Sequence, residues 1–283
     1  DPSLLYKSRT HLVPSFSTLQ REIHIKREDE SGFGISGAKK RKYASLLPYL
    51  KKNQISQVIL IGGSRSNHVA GLIQLLNESR MSYQLFLKEE HQAQLKGNRL
   101  LLYLLAREDQ IRWIGKNEWS NVEEIAKEEG EKKGFYVIPE GGTCEPAFWG
   151  ACTLGLDVLE EGKKWDSIWI DSGTALMAGA LIEVMALYSP NTSINVVQMA
   201  GDEDYFEGQL RRFHTWLEGG MGLSLAFPQN YSLSYPPVGK SFGSVGRTVL
   251  NFVKDFAREE GVLTDPIYSA KMFMRAQEFF QRE

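Results

Sequence analysis

Four consecutive basic residues, Lys39-Lys40-Arg41-Lys42, follow Gly37-Ala38 and lead into an amphipathic stretch, 43–50. The start of a helix carries the positive end of its dipole, so a lysine held there is driven toward neutrality or toward an anionic partner. A near-neutral amine is what Schiff-base chemistry requires, and a phosphorylated cofactor would supply the anion. The same run also suits the solvated start of a surface helix. Two further stretches have compatible chemistry. Ile61-Gly62-Gly63-Ser64-Arg65-Ser66-Asn67-His68 follows a strongly β-forming run. Its glycines permit a tight turn, and Ser66 and Asn67 are capping types whose side chains can face backbone or ligand. The stretch Ile170-Asp171-Ser172-Gly173-Thr174-Ala175-Leu176-Met177-Ala178-Gly179 again reads as strand, small-residue turn and helix. Backbone N–H groups at such a helix start, with the Ser172 and Thr174 hydroxyls, suit a phosphate.

The elements that must position these turns alternate. Strands are expected at 57–61, 83–87, 111–114 and 135–138, with helices at 67–79, 95–106 and 122–133 between them. This is the pattern of βαβ units in a doubly wound α/β architecture, where ligands settle beyond the carboxyl ends of the strands. After Gly141-Gly142 a second series begins, with helices at 147–160, 175–188 and 205–217 and strands at 167–171 and 194–199. Two sheets are therefore expected. Stretch 226–243 contains Pro228, Pro236 and Pro237 and reads as a loop, followed by helices at 245–260 and 267–281.

The chain has 283 residues, of which 42% are hydrophobic, and a formal net charge of -2. That balance offers no field for nucleic acid or an anionic membrane, so a small-molecule partner is expected. No apolar run reaches the roughly 20 residues that span a bilayer, and a cytoplasmic location is expected. Cys144 and Cys152 lack a C-x-x-C spacing, and His24, His91 and His214 lack metal-ligand spacing, so no metal site is expected. Cys144 reads as a core cysteine, and Trp165 and Trp169 as packing a core or an interface.

Four motifs, Lys26-Arg27-Glu28-Asp29, Gly37 to Lys42, Ile61 to His68 and Gly261-Val262-Leu263-Thr264-Asp265-Pro266-Ile267-Tyr268, resemble in order and spacing the 1-aminocyclopropane-1-carboxylate (ACC) deaminase/D-cysteine desulfhydrase family. The resemblance covers nearly the whole chain. It implies a fold-type II pyridoxal 5′-phosphate (PLP) enzyme, tryptophan synthase beta-like, with two open, mostly parallel twisted sheets flanked by helices. It divides the chain into a smaller α/β domain, 43–148, and a larger PLP-binding domain, 1–42 plus 149–283. It places the PLP-bearing lysine at Lys39 and the motif's second lysine, also expected to bind the cofactor, at Lys42. Ser66 falls where the family acts on substrate and Asn67 where it bonds the PLP 3′-oxygen, with His68 beside them, and all three are expected to bind substrate. Ser172, Gly173, Thr174 and Ala175 fall on the phosphate turn. Tyr268 falls where the family's tyrosine faces the reacting substrate, and Ser269 where the pyridine nitrogen is contacted. A homodimer acting on a small amino acid is implied as well.

The departures from the family pattern bear on the reaction. ACC deaminases carry glutamate where this chain has Ser269, and a second tyrosine where it has Phe242. A carboxylate keeps the pyridine nitrogen protonated and the ring a strong electron sink, whereas a hydroxyl supplies no such charge. A weaker sink suffices for loss of an α-proton, taken by Lys39 or a residue it assists, and β-elimination of thiolate. The expected reaction is therefore D-cysteine desulfhydrase-like, giving pyruvate, ammonia and sulfide. The alternatives are an ACC deaminase-like reaction and a catalytically reduced homologue that binds PLP or an amino acid. The last is suggested by Ala38 in place of asparagine and by a phosphate turn about one residue shorter and bulkier than in relatives. Arg65, where relatives usually carry glutamine, adds a cation beside Ser66.

Overall fold

A short hairpin absent from the sequence expectation comes first in a computed structural model that describes residues 7–31, 37–90, 94–239 and 242–282. Strands β1 (Thr10–Leu12) and β2 (His24–Lys26) pair antiparallel, with Thr10 opposite Lys26. The hairpin is tied down by charge: Lys26 Nζ lies 2.7 Å from Glu161 Oε1 and 3.3 Å from Asp157 Oδ2. The Thr10 hydroxyl donates to the same glutamate at 2.6 Å.

Helix α1 (Lys39–Lys52) then leads to β3 (Gln57–Gly63), α2 (Asn67–Glu78), β4 (Ser82–Lys88), α3 (Asn98–Leu105), β5 (Ile111–Ile114), α4 (Val122–Lys133) and β6 (Tyr136–Ile138). The four strands β3 to β6 form one parallel sheet in the order β5-β4-β3-β6. Val58 through Ile61 are fully buried, as expected for a strand covered on both faces, which reads as an unbroken apolar run rather than an alternation. Ile59, Ile61, Phe86, Ile114, Val122 and Ala126 form a core. Strands β3, β4 and β5 advance in one direction, and β6 returns to the other side of β3. The sheet therefore reverses between β3 and β6, and such a switch point opens a crevice at the strands' carboxyl ends.

Helix α5 (Glu145–Glu160) carries the chain from one compact unit to another, the division falling after Ala151. One unit contains 28–151 and the other 8–27 with 152–283. Segment 28–42, grouped with the larger domain on sequence, clusters with the first unit. Two of its contacts lie within that unit: Arg41 grips the Glu28 carboxylate with Nε and Nη2, both at 2.7 Å, and Lys42 reaches the Gly141 carbonyl.

The second unit continues with β7 (Ser167–Ser172), α6 (Leu176–Tyr188), β8 (Ser193–Gln198), α7 (Glu203–Met221), β9 (Tyr231–Ser234), α8 (Arg247–Glu260) and α9 (Ser269–Phe280). Its sheet, β7-β8-β9, is parallel throughout. Strand β9 corrects the expectation of a loop over 226–243. Four residues flanked by prolines carry too little periodicity to announce a strand, but their ladder to β8, with Ile194 opposite Tyr231, satisfies an otherwise open edge. Phe16, Phe256 and Phe273 share a core with Phe252, and Phe252 and Phe256 stack at 5.5 Å. Trp169 packs on Phe279 and Phe280, and His214 lies 3.1 Å from the buried Glu183 carboxylate. Among the described residues no helix is long and apolar enough to cross a membrane, and no group of three or more His, Cys, Asp or Glu is placed to hold a metal ion. His91 lies outside the described residues.

Candidate functional site

The switch point of the first sheet brings two of the sequence-selected stretches together, Gly37 to Lys42 and Ile61 to His68. Lys39 is the first residue of α1. Ala38 before it makes no side-chain cap, and the first turn of the helix itself contains no acidic residue, while the Glu28 carboxylate reaches that turn at Arg41. Lys42 lies one turn further on and is buried. Its Nζ donates to the carbonyl of Gly141, 3.0 Å away, in the turn after β6. Burial lowers the Lys42 pKa from the ordinary 10.5 to about 7, with Lys39 beside it acting in the same direction and Cys144 opposing.

Across the switch point, Ser66 caps α2, its Oγ accepting the N–H groups of His68 and Val69 at 3.2 and 3.3 Å. His68 is buried, and its Nδ1 and carbonyl oxygen each lie 3.1 Å from the Tyr43 hydroxyl. Burial, then Lys42 and Lys39, keeps its pKa well below the usual imidazole range, so the ring is neutral at physiological pH. Gly142, at φ +67°, is required by this packing: a Cβ there would meet the imidazole Cε1 at 2.6 Å. His68 Nε2 and the Ser64 hydroxyl are buried without a hydrogen-bond partner among the described residues. Asn67 accepts a hydrogen bond from Asn98 at the start of α3. Lys39, Lys42, Ser66, Asn67 and His68 thus all belong to this unit.

The state of Lys42 can be checked directly. Between pH 7 and 10.5 the unfolded chain holds a proton at this lysine that the folded protein has released, so stability rises with pH across that window. Unliganded protein is expected to gain unfolding free energy from pH 7 to pH 10, with Lys42→Met flattening that rise in parallel urea titrations. An equal slope in both proteins would show a lysine with an ordinary pKa.

The second unit holds the remaining selected residues at the carboxyl end of β7. Ser172 closes the strand, and Gly173, Thr174 and Ala175 make the turn into α6. Ala175 sits in the left-handed region at φ +66°, and the helix start has neither a side-chain cap nor an acidic residue in its first turn. The buried Ser172 hydroxyl has no hydrogen-bond partner among the described residues. Gln198 supports the turn by donating to the Gly173 carbonyl at 3.3 Å. An uncapped start of a 13-residue helix next to an unmet hydroxyl suits a phosphate.

Tyr268 packs against this turn: a Cβ on Gly173 would lie 3.2 Å from its Cε1. Phe242 meets the Tyr268 ring edge-on, centroids 6.0 Å apart. The tyrosine is held by Asp265, whose Oδ1 accepts the N–H groups of Ile267 and Tyr268 at 2.7 and 2.8 Å. The Ser269 hydroxyl accepts the Asp265 N–H at 2.8 Å and so closes the same turn. Tyr43 was not selected on sequence, and Gly142 and Asp265 were named there only within a turn and a motif, without a role. Asp265 had a signal, an aspartate before proline at a helix start; Tyr43 had none, since its partner is 25 residues away.

The chain matches the family model described as "Pyridoxal-phosphate dependent enzyme" over residues 4–283. The bifunctional D-cysteine desulfhydrase/1-aminocyclopropane-1-carboxylate deaminase of Arabidopsis thaliana, a mitochondrial protein, is 27% identical over 268 residues, 88% of this chain and 65% of its own length. A putative 1-aminocyclopropane-1-carboxylate deaminase of Thermotoga maritima is 28% identical over 270 residues, covering 92% of this chain and 84% of its own. The chain therefore spans just under two thirds of the Arabidopsis relative and most of the Thermotoga one. A crystal structure of an ACC deaminase homologue superposes with a TM-score of 0.87 at 21% identity, covering 99% of this chain and 86% of that one. That likeness establishes the fold.

Proposed function

We propose, because this chain belongs to the family of pyridoxal-phosphate dependent enzymes, that it is a lyase acting on a small amino acid, with D-cysteine desulfhydrase-like β-elimination to pyruvate, ammonia and sulfide as its reaction. The residues present fit the cofactor. The uncapped α6 start and the Ser172 hydroxyl, unmet among the described residues, suit its phosphate, and α1 provides a lysine at its first position, Lys39. When bound, PLP supplies an electron-withdrawing ring that makes the α-proton of an attached amino acid removable.

The chain's own residues then have separable tasks. Lys39 would hold the cofactor through its amine, and once the substrate's amine has displaced it from that bond, the freed Lys39 amine or a residue it assists would take the α-proton. Lys42 keeps a second amine in the same unit whose pKa of about 7 makes its charge sensitive to small changes around it. Ser66 and Asn67 bind substrate and cofactor, and the neutral His68 orients the Ser66–Asn67 turn without adding charge. Ser172, Gly173, Thr174 and Ala175 hold the phosphate through N–H groups and hydroxyls. Tyr268, fixed by Asp265, faces the substrate. The protein acts in the cytoplasm, and as a homodimer, the latter on the family resemblance alone.

The observation that carries the choice of reaction is Ser269. Its hydroxyl is neutral and engaged with the Asp265 backbone, so it provides no carboxylate to hold a proton on a pyridine nitrogen. Phe242 beside Tyr268 likewise has no hydroxyl for proton transfer. Both features favour expulsion of a good leaving group over opening of a cyclopropane ring. Cofactor-loaded protein is expected to release sulfide and pyruvate from D-cysteine while leaving ACC unconsumed. Consumption of ACC at a comparable rate would reverse the assignment, and bound cofactor with no turnover of either would leave a binding protein.

A further inference from the structure

We propose that Arg65 and Arg99 form a subsite for a second negative charge on the substrate, so that the amino acid selected carries an anionic side chain or leaving group. The inference rests on the amino-acid reading above and narrows its substrate class. Glu90, just beyond β4, is shared by two guanidinium groups: its Oε2 lies 3.3 Å from Arg65 Nε and 4.0 Å from Arg99 Nη1. One carboxylate between two cations leaves a surplus positive charge.

The two arginines differ in a way that suits ligand capture. The Arg99 side chain is only 11% exposed, with its guanidinium 5.4 Å from the Trp113 ring centroid and 5.9 Å from that of Tyr103. Its Nε and Nη1 are buried and make no hydrogen bond among the described residues. Buried guanidinium donors left unmet are costly, and their planar fork matches a carboxylate, sulfonate or phosphate. Arg65, by contrast, is 57% exposed, so closing over an incoming group requires only its release from Glu90.

Position links the pair to the substrate. Arg65 directly precedes Ser66 and Asn67. Asn98, the neighbour of Arg99, donates through Nδ2 to the Arg65 carbonyl at 3.1 Å and to Asn67 Oδ1. Through Asn98, the backbone positions of both arginines are therefore tied to Asn67. Glu90 pairs with Arg65, lies 4.0 Å from Arg99 Nη1, and so competes with any anion that arrives.

Aspartate and asparagine test this, being nearly isosteric and differing in side-chain charge. In calorimetric titrations of cofactor-loaded protein, using both enantiomers, aspartate is expected to bind at least about ten-fold more tightly than asparagine. Arg65→Gln should reduce that ratio to about two-fold or less, and Glu90→Gln, which removes the competitor, should widen it by about three-fold or more. A purely structural ion pair predicts the opposite for Glu90→Gln, a ratio unchanged or reduced. Equal binding of the two amino acids, binding of neither, or a ratio indifferent to Arg65→Gln would overturn the subsite. Should the aspartate preference hold while D-cysteine releases no sulfide, the reaction assignment fails and the subsite stands.

Discussion

Lys39→Ala protein is expected to lose at least about 10³-fold in D-cysteine turnover and to lose the covalent bond to PLP altogether. One amine is assigned both the bond to the cofactor and the transfer of the α-proton, and positioned proton transfer alone contributes about 10²–10⁴-fold. The substitution also removes a cation that depresses the pKa values of Lys42 and His68. Both should therefore move upward, and the Lys42 amine should become more fully charged at neutral pH. Two measurements separate these consequences. Borohydride reduction of the loaded wild-type protein, followed by peptide mapping, should place the cofactor on Lys39, and the visible absorbance of the lysine-bound cofactor should be absent from Lys39→Ala. The rival is close at hand, since Lys42 is also buried at the switch point and has a pKa of about 7. Cofactor mapped to Lys42, with absorbance retained in Lys39→Ala, would transfer the anchoring role one turn along α1.

What could be read from the sequence divides along physical lines. The parallel strands of the first unit announce themselves because a strand buried on both faces must be apolar at successive positions, as Val58 to Ile61 are. The turns after β3 and β7 were legible because glycine, serine and asparagine are residue types that sharp turns and helix caps require. Strand β9 and the β1–β2 hairpin were not. Each is three or four residues long, and their pairing depends on partners remote in sequence: Tyr231 opposite Ile194, and Lys26 held by Glu161. The same limit applies within the site. Nothing in the run Lys39 to Lys42 distinguishes the buried Lys42 from its neighbours, because burial is conferred by a turn about 100 residues later. The role of Asp265 in setting Tyr268 was half visible in its Asp-Pro dipeptide, whereas the Tyr43 hydroxyl that holds His68 was invisible. Arg65 stood out as a cation beside a substrate residue, but its partners Glu90 and Arg99 became apparent only once β4 and α3 were in place.

The packing that sets the basic helix in position makes a second large effect predictable. Gly150, in the part of α5 belonging to the first unit, lies directly against α1. A Cβ there would come within 2.0 Å of the Arg41 carbonyl oxygen and 2.5 Å of Ser45 Oγ. The first of these is backbone and cannot swing away. The Ser45 hydroxyl joins the two helices, donating to the Lys42 carbonyl at 3.1 Å and accepting the Gly150 N–H at 2.9 Å. Gly150→Ala must therefore push α1 outward and break this bridge, dragging Arg41 and Lys42 with it, at an expected cost of about 3 kcal/mol or more. Gly208 in α7 provides the control. It is exposed and a Cβ on it would meet nothing within 4 Å, so Gly208→Ala is expected to stabilise by about 0.5–1 kcal/mol through helix propensity and a less flexible unfolded chain. Urea unfolding of the two variants should thus shift in opposite directions for the same chemical change. Because the Gly150 clash falls on the carbonyl of the residue before Lys42, the surviving folded fraction of Gly150→Ala should also show a weakened Lys42–Gly141 bond and a reduced uptake of PLP. A Gly150→Ala protein as stable as wild type would mean that α1 is free to shift, and that the lysines owe their placement to something other than close contact between these two helices.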